Sequence, residues 1–256
     1  MIVFGAIAPH GDPAFEDGSA TRLAFEELGR RLARAEPEVT IVATPHSAHV
    51  EGSFAVVTSA TIAGRFAERE AELSCAVDRE LADEVLRSLR DSGLPAVGMS
   101  YGSNDRALAE MPMDWGTLIP LWFLGMAERP VVVVSPARER SLADHVLAGR
   151  AIASATGGRR VAFVASADHG HRHDPDGPFG FDPASAEFDE RVVELVSQNR
   201  LGELASLEPL VEAASADSLW QMVLLDGALG GGFDAELLAY ERPTYFGMLV
   251  AAFEPA

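Results

Sequence analysis

Ile2-Val3-Phe4-Gly5-Ala6-Ile7-Ala8-Pro9-His10 opens the chain with an unbroken run of apolar and small residues, closed by a proline and a histidine. A run of this length without polar alternation reads as a strand buried on both faces, as in a parallel sheet covered by helices. Proline cannot continue the hydrogen-bond ladder, so the strand stops and the histidine stands at its carboxyl end. The arrangement recurs at residues 40–46, where an apolar run ends in Thr44-Pro45-His46. A third run, at 161–166, leads into Ser166-Ala167-Asp168-His169-Gly170-His171-Arg172-His173. In an open α/β sheet the carboxyl ends of parallel strands form one edge, and ligands bind in the crevice outside it. Imidazoles gathered at that edge suggest a metal site.

Further strand candidates occupy residues 55–62, 96–99, 131–135, 237–240 and 248–253. Segments of helical period lie between them: 21–35 aligns Phe25, Leu28 and Leu32, and 77–89 aligns Leu81, Val85, Leu86 and Leu89. Residues 141–155 form a third, capped by Ser141 with Asp144 three residues on; 184–197 and 219–229 also read as helices. This alternation predicts one α/β domain over residues 1–256, with a mixed, largely parallel central sheet covered by helices on both faces. Residues 174–183 are too rich in Pro, Gly and Asp for helix or strand. Directly after the histidine cluster, such a loop is a candidate lid or substrate wall.

The 256 residues hold 39 Asp and Glu against 20 basic residues, a formal charge of -19. That balance argues against binding nucleic acid or anionic membranes, and an anionic substrate would need a local basic residue. The single cysteine, Cys75, excludes an intramolecular disulfide and a thiolate-rich zinc cage; it falls in a helix-forming region and reads as a small buried hydrophobe. The first residues carry no basic leader, and no apolar run reaches the roughly 18 residues of a membrane span. A cytoplasmic protein is expected.

Neutral imidazole is the commonest biological metal ligand, and two histidines with one carboxylate leave open positions for oxygen and substrate. A lone strand-end histidine more often just bonds its own backbone. Two Pro-His motifs at corresponding places, joined by the third cluster, point instead to a site. Trp115, Trp122, Phe179, Phe181 and Tyr245 are candidate walls for a flat ring, although core packing is the commoner fate of each. His145, inside a helix, reads as a surface residue.

Ala8-Pro9-His10-Gly11, Pro45-His46, Asp114-Trp115-Gly116-Thr117-Leu118-Ile119-Pro120-Leu121 and the 166–171 segment follow one another in a particular order. In that order and spacing the chain resembles the class III extradiol ring-cleaving dioxygenases (LigB-like catalytic subunits), which include the catalytic subunit of protocatechuate dioxygenase. The resemblance spans nearly the whole chain. It implies an oxidoreductase of aromatic compound catabolism that opens a catecholic ring with O2 at a non-haem Fe(II), zinc and manganese being the other metals such ligands suit. His10 and His46 match the two histidine ligands, and His171 the histidine that acts as acid and base. The third ligand in such proteins is a carboxylate at the start of a late helix. Asp217, ahead of the helix that runs to Gly227-Ala228-Leu229, takes that place, with Glu241 as the alternative and helix capping as its plainer role.

His49, Trp115, His169, Arg172 and His173 complete the expected substrate-binding set, Arg172 as a clamp for a substrate carboxylate. His169 and His173 could equally orient ligands from behind. Many ring-cleaving relatives carry a histidine where this chain has Trp115, and tryptophan cannot move a proton as imidazole does. The alternative function is therefore a metal-binding protein of the same fold without ring cleavage, similar to the Memo proteins, with redox or interaction roles. Those proteins place a cysteine at the third ligand, which this chain lacks there. A zinc hydrolase built on His, His and Asp would use the same donors. Expected partners are a small aromatic substrate and O2, with a homo-oligomer or a small accessory subunit.

Overall fold

The computed structural model describes residues 1–126 and 128–256. In chain order the elements are β1 (Ile2–Ala8), α1 (Ala20–Ala35), β2 (Val39–Ala43), β3 (Phe54–Val57), β4 (Thr61–Phe66) and β5 (Ala71–Ala76). Next come α2 (Arg79–Asp91), β6 (Ala96–Met99), β7 (Glu110–Pro112), α3 (Trp115–Phe123), β8 (Val131–Ser135) and α4 (Leu142–Ala155). The chain closes with β9 (Val161–Ser166), α5 (Pro183–Ser197), α6 (Val211–Ala214), α7 (Leu219–Leu229), β10 (Phe233–Glu241) and β11 (Met248–Pro255).

The unbroken apolar runs become the middle of an eight-stranded mixed sheet ordered β10-β11-β1-β9-β2-β8-β3-β6. β1, β9, β2 and β8 are mutually parallel, and β2, β8 and β9 are buried throughout. Apolar side chains on both faces of a strand are stable only where both faces are covered. Here α1 and α3 pack together on one side, while α2, α4 and α7 pack together on the other. The α4–α7 crossing is close: a side chain at Gly149 would strike the carbonyl of Leu224, and one at Gly227 that of Val146. The antiparallel β11 and β10 extend the sheet beyond β1.

Ala8 pairs with Ser166, and Ala43 pairs with both Ala165 and Val134, so the carboxyl ends of β1, β9, β2 and β8 finish level. Every one of the three histidine motifs therefore leaves the sheet at the same edge. No helix among the described residues is long and apolar enough to cross a membrane.

Three local expectations are corrected. The predicted strand at 55–62 is two strands in different sheets: at Thr58 the hydroxyl donates to Met99 O and Ala60 N donates to Ala109 O, turning the chain into a three-stranded sheet ordered β5-β4-β7. Cys75 is buried, but on strand β5 rather than in a helix; Ala71, Leu73 and Cys75 face inward in strict alternation with exposed neighbours, a period of two. His145 is not a surface residue. It is fully buried, its Nδ1 donating to Ser141 O while its ring meets Phe54 edge-on at 5.0 Å. The helix over 115–123, to which the sequence reading gave no element, starts where the Asp114 side chain accepts from Thr117 N.

Candidate metal centre

His10 and His46 follow the prolines that end β1 and β2, and Asp217 lies two residues before α7, next to its N-cap Ser218. Donor atoms of these three residues lie within 4.8 Å of one another. The imidazole nitrogens His10 Nε2 and His46 Nε2 are 3.0 Å apart, and His46 Nε2 stands 3.6 Å from Asp217 Oδ2. Metal–ligand bonds of about 2.1 Å meeting between a right and a tetrahedral angle separate adjacent donors by about 3.0–3.4 Å. Two ring nitrogens this close share either one proton or one cation.

The tautomer of His10 follows from its neighbours. Ser166, the last residue of β9, gives its hydroxyl proton to Gly116 O, so its oxygen can only accept from His10 Nδ1, 2.9 Å away. With the proton on Nδ1, Nε2 keeps its lone pair for a metal. Burial, and then the nearby His46, hold His10 well below the ordinary histidine range. Burial brings His46 down to about 4, with the Arg138 charge adding to the effect. Both rings are therefore neutral at neutral pH. Burial pushes Asp217 up, and its buried Oδ1 has no hydrogen-bond partner. A desolvated carboxylate beside two lone-pair nitrogens is the donor set that a divalent cation satisfies. The residues present therefore fit a non-haem metal.

Asp168, which the sequence reading passed over, sits inside this group. Its carboxylate accepts from His10 N at 3.0 Å and comes within 3.4 Å of His10 Nε2. Burial, followed by the charge of Asp217, raises it well above the usual carboxylate range. Asp114 accepts from the Thr44 hydroxyl at 2.8 Å as well as from Thr117, tying the start of α3 to the end of β2. Between them Gly116 leaves no room: a Cβ there would lie 2.6 Å from Thr44 Oγ1 and 3.2 Å from the His46 ring. The signal for Ser166, Asp168, Asp114 and Gly116 lay in the very motifs that carry the resemblance.

A cavity of about 840 Å3 opens on the three donors. His171 lines it, stacked on Phe246 at 5.4 Å, and its Nδ1 donates to His169 O at 2.6 Å, which leaves Nε2 as the nitrogen able to accept a proton. Trp115 lies 4.4 Å from the His46 ring, and Trp115, Phe179 and Tyr245 form walls, whereas Trp122 and Phe181 do not.

Four members of the expected substrate-binding set do not reach this cavity. His49 is exposed and bonds Glu139 at 3.1 Å. His169 is buried beneath it, Nδ1 against Ser218 Oγ at 3.1 Å, and burial brings it down to about 4. Arg172 turns its guanidinium away from the cavity, to the carbonyls of Phe179 and Ala213 and to the Asp182 carboxylate at 3.6 Å. His173 is fixed between Asp189 at 2.9 Å and Arg242. Glu241 lies outside the donor group, accepting from Thr21 N at 2.9 Å.

The family described as the catalytic LigB subunit of aromatic ring-opening dioxygenase matches residues 7–251 of this chain. Among curated proteins, Protein CA_C1420 of Clostridium acetobutylicum is 24% identical over 232 residues, covering 86% of this chain and 49% of that protein. The chain thus spans about half the length of that relative. Among solved structures, the uncharacterized protein JW3007 from Escherichia coli K12 shares the fold, with a TM-score of 0.71 over 98% of this chain and 99% of that one at 15% identity.

Proposed function

This chain belongs to the family of catalytic LigB subunits of aromatic ring-opening dioxygenases, and from that premise we propose that residues 1–256 form a non-haem Fe(II) extradiol dioxygenase that opens a catecholic ring with O2. The observation that carries the reading is the convergence of His10 Nε2, His46 Nε2 and an Asp217 oxygen at the mouth of one largely apolar cavity. Ferrous iron held there would supply a Lewis acid for two adjacent catechol oxygens and open positions for O2.

The chain's own residues do the rest. Ser166 holds His10 in the tautomer that ligates, and Asp168 fixes the His10 backbone. His171 Nε2 takes a proton from a catechol hydroxyl and returns it during ring opening. Trp115, Phe179, Tyr245 and Phe246 flank the flat ring and exclude water from it. The reading extends to a cytoplasmic protein that acts as a homo-oligomer or with a small accessory subunit, which light scattering of the purified protein tests.

The experiment is aerobic incubation of iron-loaded protein with a catechol panel. A yellow ring-opened product, with oxygen uptake that His171→Ala suppresses, is the expected result. Absence of product across the panel from protein that demonstrably holds iron would overturn the proposal. One observation favours a second reading, a Memo-like metal-binding protein without ring cleavage: the cavity position where many ring-cleaving relatives carry histidine holds Trp115, packed on His46. Under that reading the protein as purified carries metal yet consumes no oxygen with any catechol.

A further inference from the structure

Asp189 is buried on α5 and lines no part of the 840 Å3 cavity. Its carboxylate is nevertheless the meeting point of three donors. Oδ1 accepts from Gly170 N at 2.8 Å, and Oδ2 accepts from His173 Nε2 at 2.9 Å and from the Tyr240 hydroxyl at 2.7 Å. The His173 proton is placed by its neighbour: the Arg242 guanidinium can only donate, so Nδ1 accepts from it at 2.9 Å and Nε2 carries the hydrogen. Two glycines make room for the carboxylate. A side chain at Gly247 would strike Asp189 Oδ2, and a Cβ at Gly170 would lie 3.0 Å from Oδ1. Burying a carboxylate is costly unless it is fully hydrogen-bonded, as it is here.

The Gly170 N–H belongs to the same peptide group as the His169 carbonyl, and that carbonyl accepts from His171 Nδ1 at 2.6 Å. One planar peptide thus stands between Asp189 and the imidazole on the cavity wall, with the carboxylate on its N–H and the ring on its C=O. Its plane is held from both sides: His169 N donates to Gly247 O, and Gly247 N donates to Gly170 O. Turning the peptide over would aim its carbonyl at the carboxylate and its N–H at the Nδ1 proton. A negative charge on the N–H side polarises the amide, and hydrogen bonds in series strengthen one another where the dielectric is low. The carbonyl facing Nδ1 is therefore a stronger acceptor than an ordinary one. It favours the ring form with the proton on Nδ1 and a free lone pair on Nε2.

We propose that Asp189 is a positioning residue for His171, acting through the 169–170 peptide to fix the ring's tautomer and to aim Nε2 into the cavity. The inference rests on the ring-cleavage reading only for what His171 then does with a proton. A base oriented by a carboxylate is a common catalytic arrangement, and here a peptide group is interposed between the two. The carboxylate stays dry and away from the substrate, while its charge is felt at the ring. Phe246, which precedes Gly247 and stacks on His171 at 5.4 Å, is held by the same pair of backbone bonds, so wall and base are set together.

The test reads the ring directly. In zinc-loaded protein carrying isotopically labelled histidine, nitrogen NMR at mildly alkaline pH reports which ring nitrogen holds the proton, and His171→Gln identifies the His171 signals. Wild-type protein is expected to show it on Nδ1. In Asp189→Asn the amide oxygen is drawn to the two donors at the Oδ2 place, which turns the side-chain NH2 against Gly170 N–H and breaks the series. His171 should then pass from the pure Nδ1–H form to a mixture of both tautomers. In iron-loaded protein kcat for a catechol should fall about 10- to 100-fold, with KM changed by less than about two-fold. Leu89→Ala, in the core on α2, supplies a loss of stability elsewhere and should leave the His171 signals in place.

Tyr240→Phe probes the same coupling from the other oxygen. It takes one donor from Oδ2 and leaves more of the charge for Gly170 N–H, so the Gly170 amide proton and the His171 Nδ1 proton should move downfield together. A wild-type ring protonated on Nε2 would overturn the assignment. So would a pure Nδ1–H form retained in folded Asp189→Asn, or a His171 Nδ1 proton that stays in place in Tyr240→Phe. If Asp189→Asn does not fold, the Tyr240→Phe shifts decide alone. The spectra need neither iron nor a catechol: if iron-loaded wild type opens no ring, the ring-cleavage reading fails, while the link from Asp189 to His171 stands or falls on the His171 signals.

Discussion

Ser166→Ala removes one oxygen atom, yet the structure gives that oxygen two duties. It accepts from His10 Nδ1 at 2.9 Å and donates to Gly116 O, and the residue is fully buried at the end of β9. The substitution leaves Gly116 O without its donor, which costs about 1–3 kcal/mol of folding free energy. It also frees the His10 proton to move to Nε2, the nitrogen that faces His46. Loss of a hydrogen-bond partner behind a ligating histidine typically weakens metal affinity about 10- to 100-fold, or about 1.4–2.8 kcal/mol. The two effects are read separately: denaturant unfolding of the metal-free protein gives the first, and competition with a chromophoric chelator for zinc gives the second. Residual binding should persist, because His46 and Asp217 are untouched, whereas His10→Ala should abolish it. A folded Ser166→Ala protein with zinc affinity within about two-fold of wild type would refute the reasoning, since the His10 tautomer would then owe nothing to Ser166.

Gly116→Ala places a methyl group 2.6 Å from Thr44 Oγ1 and 3.2 Å from the His46 ring; zinc affinity measured by the same competition should fall about 10-fold, with about 1–3 kcal/mol of overpacking cost in denaturant unfolding. Asp217→Asn should weaken zinc binding more than about 100-fold, while Glu241→Gln, which disturbs only the start of α1, should leave it unchanged. Thr40→Val should stabilise the protein by about 1 kcal/mol in thermal unfolding, because Thr40 Oγ1 is buried without a partner. Tyr240 is pushed up by burial and by Asp189, to which its hydroxyl donates. A phenol raised in the folded state contributes stability that is complete below the unfolded value near 10 and is lost as pH rises beyond it. Denaturant midpoints should therefore fall above about pH 10, less steeply in Tyr240→Phe; an unchanged slope in that variant would assign the alkaline loss to other groups.

The centre of the sheet was legible in the sequence for a simple reason. Strands buried on both faces must be apolar at every position, and β1, β2, β8 and β9 are written as uninterrupted runs that nothing else in a globular chain requires. Pro9 and Pro45 mark where two of them end, so the placement of His10 and His46 at one edge followed from pattern and strand direction alone. The region around Cys75 misled for the opposite reason. Its composition suits a helix, and the period-two alternation of Ala71, Leu73 and Cys75 gains its meaning only from β4 alongside.

What tertiary structure alone decided is which polar side chain meets which partner. Asp217 and Glu241 both stood as possible third ligands, and Thr21 N, more than two hundred residues away in sequence, withdraws Glu241 by hydrogen bond. Glu139 draws His49 aside, carbonyls of the 172–183 and 211–214 segments absorb Arg172, and Asp189 holds His173. Arg65, unremarked in the sequence, is the basic side chain left facing the cavity. Burial is a one-body property, repeated along a strand and therefore visible in a linear string. Hydrogen bonding and charge pairing are competitions among groups that meet only once the chain has folded, so the sequence brought His10 and His46 to one edge, and the fold decided that Asp217 rather than Glu241 stands beside them and which side chains wall the cavity.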